Sequence, residues 1–354
     1  MQPDQDNSVA IQQQVRAAID AVTPLNICAG NSKNFYGNPA QGETLDVSLH
    51  KGIVSYEPTE LVITARCGSR LEELDAILRE KNQMLAFEPA ALTAASTLGG
   101  TIACNLSGPR RPFSGAARDF ILGCKIINGH AELLGFGGQV MKNVAGYDVS
   151  RLMSGAMGTL GIVMEVSLKV LPRPEVELTL MFSSTVATAI RNAHAWQRLP
   201  LPISAISFDN ENTYLRLSGT ENAVKQAQQK LGGEELNDAT EFWRKHNQLN
   251  NDYFSTPGNL WRLSVPSAAE IMQLSGSWFY DWAGAQRWLI STESADVIRA
   301  TAQAAGGHAV LYRSTSNSER FQKLPEAMMQ VHKQLKLAFD PHSIFNRGRL
   351  YRDL

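Results

Sequence analysis

The sequence predicts an α+β fold in two domains. Its 354 residues exceed what one hydrophobic core usually organises. Short strand-like alternations interleave with amphipathic helices along the whole chain. Glycine-rich stretches at 29–33, 89–119 and 137–163 each lie between strand patterns. The 137–171 stretch turns from a polar, glycine-punctuated half into a β-branched run. That is the reverse of a dinucleotide fingerprint, in which glycines follow a strand and open a helix.

Composition removes several function classes. The formal net charge is −1, without the clustered basic face that a nucleic-acid partner requires. No apolar run has the length of a membrane span. The polar start, MQPDQDNSVAIQQQ, is not a signal peptide, so a cytoplasmic location is expected. Cys28, Cys67, Cys104 and Cys124 are isolated, with no CxxC pair for zinc or an iron–sulfur cluster. The seven histidines form no HxH or HxxxH pair, so no metal site is expected.

In chain order, 9–22 places Val15, Ala18, Ile19 and Val22 on one face of a helix. A short strand at 25–28 runs into Ala29, Gly30, Asn31, Ser32 and Lys33. Small residues there let successive N–H groups converge on an anion such as a pyrophosphate, with a hydroxyl and a cation beside them. The other reading is a plain turn. Strands follow at 45–48, 53–56 and 60–65. Ser69 with Glu72 reads as a capping box for a helix burying Leu71, Leu74, Ile77 and Leu78, and 84–87 returns as a strand.

The 89–119 stretch reads as a long loop. It offers Pro89, then Thr97, Leu98, Gly99 and Gly100, then Asn105, Ser107 and Gly108. These are small residues for close backbone approach and amide and hydroxyl groups for a polar ring edge. A hairpin around Asn128-Gly129 is expected, then a helix from 148 to 153, a turn at 155–163 and a two-faced strand from Ile162. Pro172 and Pro174 close the first domain.

Beyond them, strands at 177–182, 203–208 and 214–217 alternate with helices at 184–196 and 221–231. A helix at 240–249 connects to a further β and α set at 260–265, 268–274, 278–281, 287–291, 295–305 and 309–312. This predicts a cap with ferredoxin-like halves. Its tryptophans, 243, 261, 278, 282 and 288, read as core and interface aromatics. A helix over 321–339 leads back to the first domain.

Together the glycine-rich stretches fit a large cofactor lying across a sheet. The spans ICAGNSKNFYG, STLGGTIACNLSGPRRPFSGAARDFILG and GQVMKNVAGYDVSRLMSGAMGTLGIV resemble the FAD-binding domain of the vanillyl-alcohol-oxidase-like (PCMH-type) flavoproteins. QMLAFEP, GPRRPFSGAARDF, QVMKNVAGYDVSRLM, DWAGAQRWL and FDPHSIFNRGRLY resemble, more closely, the FAD-binding subunits of bacterial glycolate oxidases. The similarity runs from about residue 25 to the C-terminus.

The resemblance implies a PCMH-type FAD-binding domain of two α+β subdomains at 25–174, after a polar segment and helix at 1–24. An α+β cap follows at 175–338, and 339–354 returns to the flavin. Residues 29–33 match the pyrophosphate loop. Residues 97–100 and 105–108 match the loop at the isoalloxazine and ribityl region. Gly158, Thr159, Gly161, Ile162 and Val163 match the turn at the adenine end. Asn31 stands where covalent members can carry histidine, so a non-covalent FAD is implied, in preference to a thioether at Cys104. Lys142, Tyr147 and Asp148 match a motif near the flavin. Arg347 and Arg349 have two readings, a partner for flavin N1 or a carboxylate, or a surface charge.

Oxidation of a 2-hydroxy acid needs a carboxylate anchor and a base. No base stands out, since the histidines fall outside the three loops, apart from His342 near the terminus. The resemblance therefore implies an incomplete subunit of a glycolate oxidase. A larger FAD subunit and an iron–sulfur subunit would be its partners, and contact with the membrane would come only through the complex. A self-sufficient FAD-dependent 2-hydroxy acid or alcohol dehydrogenase, and a flavin-loaded structural subunit without turnover, are the alternatives.

Overall fold

The computed structural model describes residues 4–138, 147–316 and 318–354. Helix α1 (Ser8–Ala21) buries Ile11, Val15 and Ala18. Val22 does not join that face. It takes a left-handed conformation (φ 53°) that ends the helix, and its side chain is exposed. Strands β1 (Leu25–Cys28) and β2 (Glu43–Asp46) pair in parallel as a small first subdomain.

The second subdomain contains β3 (Ile53–Glu57), β4 (Val62–Arg66), α2 (Leu71–Glu80), β5 (Gln83–Met84), α3 (Leu98–Cys104) and α4 (Arg111–Ser114). It continues through β6 (Ile121–Ile127), β7 (Leu133–Gly137), α5 (Val149–Met153), β8 (Ile162–Lys169) and β9 (Leu171–Pro172). Its antiparallel sheet has the order β3-β4-β8-β6-β7.

Strand β8 joins the two subdomains. Ile162 and Met164 pack in a core with Val15, Leu25 and Leu45. Val166 and Leu168 pack in another with Leu74, Leu98 and Ile102. A strand buried on both faces in this way holds the turn before it against the turn after β1.

The remaining strands and helices are β10 (Val176–Ser183), α6 (Val186–Gln197), β11 (Ile203–Phe208), β12 (Asn212–Gly219), α7 (Glu221–Leu231), β13 (Glu234–Glu235), α8 (Ala239–Asn247) and α9 (Asp252–Ser255), then β14 (Leu260–Ser264), β15 (Ser277–Asp281), β16 (Gln286–Ile290), α10 (Ala295–Ala304), β17 (His308–Arg313) and α11 (Glu326–Phe339). Their sheet runs β13-β10-β12-β11-β15-β16-β14-β17. Each half has the ferredoxin-like strand order, and the halves meet where Phe208 of β11 pairs Tyr280 of β15. Thr185, Thr220 and Ser294 cap α6, α7 and α10 by accepting a backbone N–H, as short hydroxyl side chains do. Trp243, Trp261, Trp278, Trp282 and Trp288 are buried, and Trp196 of α6 packs partly buried against the same core.

The structure corrects several local expectations. Ser69 makes no capping box: its hydroxyl exchanges hydrogen bonds with the backbone of Gly52, and Arg70 stands at the helix start without a side-chain cap. The 89–119 stretch is not one loop, because α3 and α4 form within it. Gly99 opens α3 where a Cβ would sit 2.7 Å from the Cβ of Cys67, so the helix packs there because it has no side chain. The 268–274 segment forms neither helix nor strand. The buried Arg287 guanidinium takes the carbonyls of Ala269 and Glu270, which a helix would need for itself. The strand expected at 84–87 is two residues long, and the helix expected from 321 starts after Pro325, whose ring bars a preceding helical turn.

Candidate cofactor-binding cleft

An open cleft of about 840 Å³ lies between the turn after β1, the first turns of α3, the 157–163 turn and the C-terminal segment. Ile27, Val47, Cys67, Ala103, Cys104 and Met157 give it apolar lining.

The turn at 29–33 makes the polar end. Among the described residues, the backbone N–H groups of Ala29, Gly30, Asn31, Ser32 and Lys33 have no hydrogen-bond acceptor. Asn31 takes a left-handed conformation, φ 52°, the kind of kink that turns successive N–H groups to one side. Gly30 is obligatory, since a Cβ there would lie 1.6 Å from the carbonyl oxygen of Ala95. Ser32 Oγ accepts from Ser96 Oγ at 3.0 Å. The Lys33 side chain is 5 % exposed and its ammonium has no partner. Burial holds its pKa below the usual lysine range. An unpaired buried ammonium beside unused N–H donors is a site for an anion.

The facing wall depends on the C-terminus. Asn346 Oδ1 accepts the N–H of Ile27 at 2.8 Å, and its Nδ2 donates to the Met157 carbonyl at 2.7 Å. Gly158 (φ +71°) leaves room for that amide, which a Cβ would approach to 2.6 Å, and at Gly161 (φ +156°) a Cβ would lie 2.9 Å from the Ile127 carbonyl. Lys336 secures the same corner by donating to the carbonyls of Thr159 and Phe345 and pairing with Asp340. The buried Arg349 guanidinium donates to the carbonyls of Asn38 and Asn34, at 2.9 and 3.0 Å, and burial lowers its pKa.

Of the residues singled out in the sequence, Ala29, Gly30, Asn31, Ser32, Lys33, Thr97, Gly99, Gly100, Gly158, Gly161, Ile162 and Val163 line this cleft. Leu98 points into the core instead. Thr159 is buried and donates to the Ala156 carbonyl. Asn105 is the left-handed end of α3 and is not in the wall. Ser107 and Gly108 line a second cleft, and Pro89 accepts from Asn247 beside it.

Among the described catalytic candidates, only Arg349 is in the wall. Arg347 and Tyr147 are exposed. Asp148 caps α5 and pairs with Arg151 at 3.2 Å. Lys142 lies outside the described residues. The place of Cys67 in the wall and the bridging bonds of Asn346 were not readable from the sequence, since their partners lie on distant segments. Cys104 is partly buried, and burial raises its thiol pKa, so it is held as the unreactive thiol.

A cleft with an anion site beside apolar lining is what a nucleotide cofactor needs, and the residues present fit an FAD. Residues 6–137 match the family model described as FAD binding domain. The chain is 47% identical to glycolate oxidase subunit GlcE of Escherichia coli (strain K12) over 349 residues, 99% of both chains. It is 31% identical over 157 residues, 44% of this chain and 32% of that protein, to glycolate oxidase subunit GlcD of Bacillus subtilis (strain 168). To D-2-hydroxyglutarate dehydrogenase of Xanthomonas citri pv. viticola it is 30% identical over 155 residues, 44% of this chain and 33% of that protein. In fold it is similar to a solved alkyldihydroxyacetonephosphate synthase, with TM-score 0.66 and 14% identity over 97% of this chain and 74% of that one. The chain belongs to the glycolate oxidase GlcE family, within the FAD-binding flavoproteins. Among the described residues no helix is long and apolar enough to cross a membrane.

Proposed function

We propose that this chain is the FAD-carrying GlcE-type subunit of a heteromeric glycolate oxidase that converts glycolate to glyoxylate. A larger flavin subunit and an iron–sulfur subunit are its partners, and electrons leave through the latter to the respiratory chain. The observation that carries the reading is the 47% identity over 99% of both chains to the Escherichia coli subunit.

The cleft geometry supports the cofactor assignment. The 29–33 N–H groups and Lys33 would hold the diphosphate, Gly158 and Gly161 the adenine end, and Thr97, Gly99 and Gly100 the ring-proximal portion. Bound there, FAD supplies two-electron acceptance and one-electron release. The chain's own residues bind and orient it: Asn346 holds the two walls at a fixed separation, and the apolar floor excludes water. The raised Cys104 pKa and Asn31 at the turn support non-covalent attachment. The 25–174 and 175–338 segments act as flavin domain and cap in this reading, and 339–354 is the strap between them. The complex is cytoplasmic, peripheral to the membrane.

Acid precipitation of the purified chain tests the attachment. Yellow colour released to the supernatant is expected, and a chain purified without any flavin would overturn the cofactor assignment. The subunit reading is tested by assaying the lone chain on glycolate with an artificial electron acceptor. Little turnover is expected until the partner subunits are added, and robust turnover alone would overturn it.

A further inference from the structure

Helix α11 turns its apolar stripe to solvent. Ala327, Met328, Val331, Leu335 and Ala338 recur at three- and four-residue spacing, so they share one face. A surface helix ordinarily turns such a stripe to the core. Here only Lys336 is buried, on another side of the helix, where it donates to the carbonyls of Thr159 and Phe345. Leu335 reaches the neighbouring core only in part. Met328 and Val331 are 49 % and 47 % exposed, and Ala327 and Ala338 are exposed beside them. Anchoring through a lysine leaves the stripe unused, and an exposed apolar strip with polar surroundings marks an interaction surface.

Charge narrows what covers it. From Arg320 to Arg352 the chain carries seven lysines and arginines and two acidic residues, although its net charge is −1. Asp340 is taken by Lys336, which leaves Glu326, in the first turn of α11, as the exposed acid of this stretch. Lys323, Lys333 and Arg347 are exposed and form no ion pair among the described residues. Complementarity calls for a partner with an acidic rim around an apolar centre.

The cofactor cleft narrows it further. Tyr36 packs in one cluster with Cys104 and Met157, which line that cleft. The ring centroid of Tyr36 lies 5.4 Å from Phe321, that of Phe321 6.3 Å from Tyr351, and that of Tyr351 6.0 Å from His332 of α11. His332 in turn bonds the carbonyl of Met328, one turn earlier. Rings in contact thus connect the cleft wall with the exposed stripe. A partner seated on the stripe lies a few side chains from the cofactor, as an electron-accepting protein must. An iron–sulfur centre held by thiolates is itself anionic, which suits the basic surroundings.

We propose that the exposed face of α11 docks the iron–sulfur partner, through a surface of that partner with an apolar centre and an acidic rim. The inference rests on the subunit reading above and adds the face which that reading leaves open.

The test uses the three subunits co-expressed and purified through a tag on this chain. Val331→p-benzoylphenylalanine places a photoreactive group in the stripe. After irradiation, the cross-linked peptide identified by mass spectrometry is expected to come from the iron–sulfur subunit. A cross-link to the larger flavin subunit, to a second copy of this chain or to lipid, or no cross-link at all, would overturn the proposal. M328E/V331E is expected to lower the recovered iron–sulfur subunit about tenfold or more, because docking would bury two unpaired carboxylates. Recovery equal to the wild type would also overturn it. K323E/K333E is expected to release that subunit at lower salt than the wild type. K225E/K230E makes the same charge change on exposed lysines of α7 and should release it at the wild-type salt concentration. Melting of each lone variant should match the wild type, since the substituted side chains are exposed. If the wild type recovers no partner at all, the subunit reading falls as well, whereas a complete complex with the cross-link elsewhere sinks this inference alone.

Discussion

Asn346 and Ile27 lie 319 residues apart in sequence, yet the Asn346 side-chain oxygen accepts the Ile27 N–H at 2.8 Å while its amide reaches the Met157 carbonyl. One side chain thus ties β1 to the wall before β8. Asn346 also sits at φ 40°, a region asparagine tolerates better than most residues. N346A removes both bonds and strains the backbone. It should lower stability by about 2–4 kcal/mol, read from the urea midpoint, and reduce flavin per chain in the visible spectrum. Unchanged flavin content would show that the walls are held by other contacts.

Gly30 gives a sharper steric test. A Cβ would meet the Ala95 carbonyl oxygen at 1.6 Å, and that obstacle is backbone on a neighbouring segment, so one of the two must move. G30A should displace the turn, abolish flavin retention and cost several kcal/mol, at the upper end of single substitutions, roughly 3–5 kcal/mol. G100A is the contrast. Its nearest neighbour beyond the helix is Thr97 Oγ1 at 3.3 Å, and it should fold with nearly normal stability. Equal behaviour of the two variants would contradict the packing described.

What the sequence reveals follows the range of the interactions. Strands such as β4 and β8 were readable because their apolar pattern is local. The 29–33 turn was readable because small residues and a lysine adjoin each other. Helix α3 was obscured by Gly99 and Gly100, which are poor helix formers. The reason for Gly99 is Cys67, on another segment. The 268–274 run looks regular and is not, because Arg287 arrives from the sheet to take its carbonyls. His246 and Asp281, 35 residues apart, show the same limit in the wall of the second cleft. Asp281 opens the DWAGAQRWL span and His246 stands in no motif, and only the packing of α8 on the second sheet pairs them.

The N-terminal segment enters the fold through charge. Arg66, 5 % exposed, donates to both Asp4 oxygens at 2.6 and 2.9 Å and to Glu165 at 2.7 Å, while Lys125 pairs with the other Glu165 oxygen at 2.9 Å. R66M leaves Glu165 buried with half its partners, and should cost about 3 kcal/mol. D4N, at a half-exposed site, should cost under about 1 kcal/mol. The Arg66 hydrogen bond lowers the Asp4 pKa. Its contribution is therefore complete above the ordinary aspartate value and is lost as pH falls through the lowered one. Denaturant unfolding of the two variants at neutral and acidic pH checks both points, and a D4N loss as large as that of R66M would contradict the burial argument.

Lys33 should trade apoprotein stability for cofactor affinity. Its ammonium is buried and unpaired, and burial holds its pKa below the usual lysine value. The unfolded lysine keeps a pKa of about 10.4. Between the lowered value and the ordinary one the unfolded chain binds more protons, so apoprotein stability rises with pH across that window. Below the window the lysine is charged in both states and the full burial penalty applies. K33M removes the penalty, so the apoprotein should melt higher at neutral pH and lose this alkaline dependence. The same change removes the cation facing the diphosphate, and FAD affinity should fall about tenfold or more. In the wild type, affinity should also fall as pH rises through the lowered pKa, because the ammonium that attracts the anion is lost. FAD titrations by flavin fluorescence, in both proteins and across pH, measure each effect. Tight, pH-independent FAD binding by K33M equal to the wild type at neutral pH would remove Lys33 from the site.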